Sequence, residues 1–140
     1  MNNLLQENIN NISKQLSEDL KNILKWKWDS RFETVLSEFP VGSKENILNL
    51  LNKSLTTAYD QSSIKKAPVL VKDIDEAFGG LAKGQLLFTS DPNQDILIFC
   101  AWWPWGNGIN ISVRFSPFST KLSDSQNKET MDKFRALFGV

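Results

Sequence analysis

Apolar residues near the start of the chain recur every three or four positions. Seven of them follow this spacing: Leu5, Ile9, Ile12, Leu16, Leu20, Ile23 and Leu24. Residues at this spacing share one side of an α-helix, because the helix completes a turn in about 3.6 residues. The pattern therefore predicts an amphipathic helix with a narrow apolar stripe.

Two more helices are predicted in the first part of the chain. Ser30, followed three residues later by Glu33, matches a capping box and predicts a short helix that ends before Pro40. Ser43 is a favourable N-cap for a third helix, whose apolar face extends to Tyr59.

The hydrophobic period changes after a polar stretch. Residues 68–71 begin with proline and continue with three apolar residues, which predicts a short edge strand. Residues 73–78 predict one or two helical turns closed by Gly79 and Gly80, since glycine tolerates the left-handed conformation of a helix cap.

Three strands are predicted at residues 85–89, 96–103 and 109–115, separated by turn-forming segments that are typical of an antiparallel meander. The second strand is apolar on both faces, so we expect it to be central and covered on both sides. Its residues expected to be almost fully buried are Ile96, Ile98, Phe99, Cys100 and Trp102. The third alternates from Ile109 to Phe115 between inward apolar and outward polar residues, which predicts a half-exposed strand.

The chain closes with a predicted helix that Ser123 and Gln126 begin as a second capping box. Helices, then strands, then a helix is the order of an α+β protein. The 140 residues fit one domain, residues 1–140, with about three helices in a helical part over 1–60. An antiparallel sheet of three to four strands and the C-terminal helix are expected over 67–140.

Composition removes several kinds of chemistry. Sixteen basic and sixteen acidic residues cancel, which argues against a broad polyanion-binding surface, and histidine is absent. Catalytic triads and metal sites that use histidine are therefore excluded. No serine lies in a Gly-x-Ser-x-Gly elbow either, so we do not expect an enzyme.

Metal and cofactor sites are not predicted. Asp91, Asn93 and Asp95 match the first three ligand positions of a calcium-binding loop. Ile96 and Trp102 then occupy the positions where that loop requires glycine and glutamate.

The single cysteine, Cys100, lies in an apolar run, so we expect a small core residue rather than a nucleophile. The first residues lack the basic and apolar segments of a secretory leader. No apolar stretch reaches the roughly 18 residues that a membrane span needs. A cytoplasmic protein is predicted.

The segment Lys25–Trp28 alternates lysine with tryptophan, a pattern that suits single-stranded nucleic acid or an anionic membrane. Acidic residues follow at once, and cationic residues near a helix C-terminus are expected from the helix dipole alone. We therefore predict neither nucleic-acid nor membrane binding, and we expect both indoles to be buried.

A second tryptophan-rich segment, Trp102–Trp105, gives the chain its most distinctive candidate surface. Alternation along a strand sends Trp102 and Trp103 to opposite faces of the sheet. Trp105 lies in a turn, where either the C-terminal helix around Phe134 and Phe138 or a partner would have to cover its indole.

These features favour a non-enzymatic protein-interaction module: an adaptor, chaperone, inhibitor or assembly subunit. Trp103 and Trp105 are candidate contacts, because tryptophan is enriched in interface hot spots. Ile12 and Leu16 are further candidates, because a narrow apolar stripe suits a seam between helices of two chains. The expected partner is another protein or a second copy of this chain.

Two alternatives remain open. A small-ligand site between sheet and helices would use Trp102 or Trp103 as a wall and Arg114 or Gln85 as a polar anchor. A carboxylate-dependent enzyme is the other alternative, since catalysis is possible without histidine.

Overall fold

The computed structural model describes residues 3–140, with side chains from Leu4 onward. Its elements, in chain order, are α1 (Asn3–Leu20), β1 (Lys27–Asp29), β2 (Thr34–Pro40), α2 (Lys44–Ser54), β3 (Thr57–Tyr59), α3 (Val69–Ala77), β4 (Leu86–Thr89), β5 (Leu97–Pro104), β6 (Asn110–Phe118) and α4 (Asp124–Phe138). Within residues 3–140 the six strands form one antiparallel sheet in the order β1-β2-β6-β5-β4-β3. The α+β class with an N-terminal and a C-terminal helix is confirmed, and the sheet has more strands than predicted.

Three helices, α1, α2 and α4, cover one side of the sheet, which we call the helix face. Their apolar residues meet those of the four inner strands. The buried residues of this core are Ile9, Leu16, Leu20, Val35, Phe39, Ile47, Leu51, Leu55, Phe88, Ile96, Ile98, Cys100, Trp102, Ile111, Val113, Phe115, Phe134 and Phe138. Most apolar residues of the α1 stripe are therefore covered by α2, α4 and the sheet of the same chain.

The other side of the sheet, which we call the cleft face, is covered over part of its width. Here α3 and a short helical turn at Ser63–Lys66 pack on β4 and β5. Val71 and Ile74 of α3 meet Leu87 and Phe99 of the two strands in a second, smaller core. The side of this face formed by β1, β2 and β6 lies next to the cleft described below.

The strand β5 is central, as predicted, with β6 on one side and β4 on the other. All five residues expected to be buried there are at most 4% exposed. Trp102 packs on the helix face against Phe39 and Phe88, whereas Trp103 packs on the cleft face against Phe78. The predicted separation of the two indoles is confirmed.

Residues 30–39 do not form the predicted helix. Residues 30–33 are the loop of a hairpin, and β2 follows from Thr34. Asp29 Oδ1 accepts a hydrogen bond from the N–H of Arg31 at 3.1 Å, which stabilises this turn. Pairing of β2 with β6 outweighs the local capping signal, and β1, β2 and β3 all lie in the part of the chain that was predicted to be helical.

Residues 68–71 are the start of a helix rather than an edge strand. A proline at a helix start loses no intrahelical hydrogen bond, and α3 begins directly after Pro68. Val71 and Ile74 lie three residues apart and are both buried, which fits helical spacing. Gly79 and Gly80 follow with φ of 85° and 89°, as expected for the residues that close a helix.

The remaining elements agree with the sequence, with small differences at their ends. Ser123 and Gln126 form the predicted capping box of α4, with reciprocal hydrogen bonds of 3.0 and 3.2 Å. Ser43 precedes α2 without a side-chain cap bond. Ile109 lies outside β6 and is exposed, although alternation placed it inward.

None of the helices within residues 3–140 has the length and apolar character needed to cross a membrane.

Candidate functional site

Three exposed apolar residues lie together at the end of the β5–β6 hairpin. Trp105 is 38% exposed, Ile109 60% and Val41 46%. The N–H of Val41 donates to the carbonyl of Ile109 at 2.7 Å, which joins the segment after β2 to the hairpin loop. We call Trp105, Ile109 and Val41 the hairpin-end patch.

The hairpin loop is held by its own backbone and one amide side chain. The N–H of Trp105 donates to the carbonyl of Asn110 at 2.9 Å, and Asn107 Oδ1 accepts from the N–H of Ile109 at 2.9 Å. Gly108 has a φ of 70°, which glycine adopts without strain. None of these bonds uses the indole of Trp105, so the turn does not depend on this side chain.

The C-terminal helix uses its phenylalanines elsewhere. Phe138 packs against Trp26 with ring centroids 4.7 Å apart and against Phe115 at 6.3 Å, and Phe134 packs on Phe138. Trp26 and Trp28 are half-buried against this core, and Arg135 lies 4.0 Å above the Trp28 ring. The two indoles of the basic segment therefore have structural contacts.

Trp103 belongs to a different surface from the hairpin-end patch. Its ring lies 5.6 Å from that of Phe32 and 5.3 Å from that of Phe78. The guanidinium of Arg114 lies 4.4 Å above it, and Arg114 Nε donates to Asp29 Oδ2 at 2.8 Å. We call Asp29, Phe32, Trp103 and Arg114 the Arg114 cluster.

Of the two candidate residues on α1, one is buried in the main core and the other lies at the edge of that core. Leu16 is fully buried, and Ile12 is partly buried and packs against the same core. Contact of Leu16 with a partner would require the fold to open. The structure does not bring Ile12 and Leu16 together with Trp103 or Trp105 in a single surface.

A cleft of about 610 Å³ lies on the cleft face. It is bounded by the β1–β2 loop, the end of α3, the end of β6 and the beginning of α4. Its lining includes two charged residues and several apolar ones: Arg31, Phe32, Glu33, Ala77, Phe78, Phe99, Phe118 and Met131.

The polar anchors suggested by the sequence do not line this cleft. Arg114 is engaged by Asp29 and Trp103, and Gln85 Oε1 accepts from the N–H of Ala82 in a turn. Arg31 and Glu33 are the charged lining residues instead. One sequence signal for this loop is Asp29, because aspartate often initiates turns and the alternation of lysine and tryptophan over Lys25–Trp28 ends there.

Cys100 lies in the centre of β5 and is fully buried, and this burial raises the pKa of its thiol well above the usual value. The thiolate is the reactive form, so we expect the folded protein to resist alkylation. Iodoacetamide at mildly alkaline pH should leave the native chain unmodified and add one group after unfolding in guanidinium, as measured by mass spectrometry. Rapid labelling of the native chain would contradict the central placement of this strand.

Asp91, the first residue of the incomplete match to a calcium-binding loop, stabilises a turn. Asp91 Oδ1 accepts from the N–H of Asn93 at 3.0 Å, and Asp91 Oδ2 accepts from the side chain of Gln94. These bonds lower the pKa of the exposed Asp91 carboxyl. Within the described residues, no group of three or more cysteine, aspartate and glutamate side chains could hold a metal ion.

No protein-family model, curated protein or solved structure matches this chain.

Proposed function

We propose that this protein is a small cytoplasmic, non-enzymatic module that binds another protein through the hairpin-end patch. The observation that carries the proposal is the exposed indole of Trp105 beside two further exposed apolar residues, Ile109 and Val41. Exposed apolar groups that lie together on a soluble domain are typical of interaction sites.

Two structural details support a role in binding rather than in folding. The turn that carries Trp105 is held by bonds that do not involve the indole. A tryptophan at this position also provides a large apolar area with few rotatable bonds, which is typical of interface hot spots. A partner that accepts the indole needs an apolar depression with a hydrogen-bond acceptor for the indole N–H.

Trp105→Ala is expected to leave folding intact and to weaken the complex. A surface substitution of this kind should shift Tm by less than about 3 °C. Loss of a hot-spot tryptophan should cost at least about 2 kcal/mol of binding free energy, or roughly thirtyfold in Kd. Calorimetry gives the first quantity, and titration with the isolated partner gives the second.

The partner is identified by photo-crosslinking in living cells of the protein's own host. A benzophenone amino acid replaces Ile109 in one variant and Val69 in the control, because Val69 is also an exposed apolar residue and lies at the start of α3. Specific adducts from position 109 that Trp105→Ala abolishes support the proposal. An adduct of twice the chain mass indicates self-association at this patch, and equal yields from both positions contradict a specific site.

A further inference from the structure

The cleft on the cleft face has the size of a small-molecule site. Its volume of about 610 Å³ lies within the roughly 300–1,000 Å³ typical of ligand pockets. Four segments that are distant in the sequence enclose it: the β1–β2 loop, the end of α3, the end of β6 and the beginning of α4. Its sheet wall lies on the opposite side from α1 and α2, and the beginning of α4 borders it at one end.

Aromatic residues form the wall of this cleft. The ring of Phe78 lies 4.8 Å from that of Phe32 and 5.5 Å from that of Phe99, so the three rings are in contact. Phe118 and Met131 add two further apolar lining groups. A flat or flexible apolar body fits such a wall, and the unbranched methionine can adjust to its shape.

One cation at this wall has no carboxylate partner. The guanidinium of Arg31 lies 4.9 Å from the centre of the Phe32 ring, and within residues 4–140 it forms no ion pair. Arg114, by contrast, is paired with Asp29. An arginine that lines an apolar cleft can bind a carboxylate or sulfonate with two parallel hydrogen bonds.

The loop that carries Arg31 is held in a strained conformation. Glu33 has a φ of 53°, in the left-handed region that residues other than glycine seldom adopt. The hydroxyl of the next residue, Thr34, is buried without a hydrogen-bond partner among the described residues. Such local costs often mark positions that function determines, and Glu33 lines the cleft.

We propose that the cleft binds a small amphipathic anion, with an aromatic or alkyl body against Phe32, Phe78 and Phe99 and an acidic head group at Arg31. Glu33 also lines the cleft, and its carboxylate repels the acidic head group that Arg31 attracts. The two side chains must therefore act on anion affinity in opposite directions. This site is independent of protein binding at the hairpin-end patch.

Two fluorescent probes test the proposal on the full chain. Anilinonaphthalene sulfonate carries an aromatic body and a sulfonate, and phenylnaphthylamine has a similar body without charge. We expect Arg31→Gln to weaken binding of the anionic probe about fivefold or more, and to change binding of the neutral probe less than about twofold. Glu33→Gln should tighten the anionic probe about twofold, because it removes a repulsive charge.

A blocking substitution locates the probe. Ala77 is an exposed residue that lines the cleft at the end of α3, so Ala77→Phe should abolish binding of both probes. Ala136→Phe is the size-matched control, because Ala136 is also exposed and lines a second groove between α1 and α4. Aromatic circular dichroism must match the parent protein in each variant, since unfolded chains also bind such dyes.

Unchanged probe binding in Ala77→Phe, or loss of binding in Ala136→Phe instead, overturns the proposal. Equal effects of Arg31→Gln on the two probes overturn the assignment of the acidic head group. If Ala77→Phe does not fold, Arg31→Gln and Glu33→Gln still test the proposal. Without an anion site in the cleft, neither substitution should change the affinity for the anionic probe.

Discussion

Trp102→Ala is expected to lower the free energy of unfolding by about 4–5 kcal/mol, the upper range for removal of a buried aromatic residue. Trp102 is 2% exposed and lies in the central strand. Its ring contacts Phe39 on β2 at 5.4 Å and Phe88 on β4 at 5.8 Å, both edge to face. Alanine would therefore leave a cavity between three strands and lose two favourable ring contacts.

The neighbouring tryptophans are controls of identical chemistry. Trp103 is half-buried, so Trp103→Ala should cost about half as much, and Trp105→Ala, at a residue 38% exposed, should cost less than about 1 kcal/mol. Urea unfolding followed by far-ultraviolet circular dichroism measures all three variants. Equal losses from Trp102 and Trp103 would contradict the burial difference between the two faces of β5.

The same segment shows which parts of the fold follow from the sequence. An uninterrupted apolar run of strand length has to be covered on both sides, and β5 is the central strand with helices on both faces. Trp102 and Trp103 lie on opposite faces as predicted, because successive side chains of a strand alternate between the two faces of the sheet. The three- to four-residue spacing of apolar residues in α1 and the capping box of α4 are also local signals, and both helices form as predicted.

Residues 30–39 show where local signals fail. Ser30 and Glu33 match a capping box, and the apolar residues after them fit either a helix or a strand. Pairing with β6 decides in favour of the strand: β6 lies about 70–80 residues further along the chain and pairs with β2 from Val35 to Pro40. Short apolar segments remain ambiguous in periodicity, because partners distant in the sequence supply most of their stabilisation.

The candidate surfaces divide in the same way. Trp105 was recognisable because a turn gives a bulky indole few neighbours, whereas the cleft was not predictable from any one segment. Arg31, Phe78 and Met131 lie on three different elements, and only the folded sheet brings them together. The sequence suggested Arg114 as a polar anchor for a ligand, but its guanidinium forms an ion pair with Asp29.

Asp29→Asn is the second substitution with a large expected effect, a loss of about 2–3 kcal/mol in the free energy of unfolding. Arg114 Nε lies 2.8 Å from Asp29 Oδ2, and the two side chains are only 16% and 13% exposed. Removing one member of a buried pair costs about 3–5 kcal/mol because the other charge stays uncompensated, and residual exposure reduces this figure. Asparagine keeps an oxygen for the N–H of Arg31, so the variant isolates the charge.

Strands β1 and β2 provide an exposed pair for comparison. Lys27 on β1 and Glu38 on β2 are 3.8 Å apart, with side chains 64% and 39% exposed. Glu38→Gln should therefore cost less than about 0.5 kcal/mol, and high salt should remove this small effect. The cost of Asp29→Asn should persist in high salt, because burial limits screening of the Asp29–Arg114 pair.

A double substitution separates the ion pair from the contacts that Arg114 makes with aromatic rings. Arg114 lies 4.4 Å from the ring of Trp103 and 5.4 Å from that of Phe32. Methionine replaces the apolar stem of arginine and removes the guanidinium, so Arg114→Met loses the cation–π contacts and leaves Asp29 unpaired. The combined variant leaves neither charge unpaired, and it should lose at least about 1 kcal/mol less than the sum of the two single losses. Strict additivity would mean that Arg114 stabilises this face through ring contacts alone, with Asp29 serving only the turn.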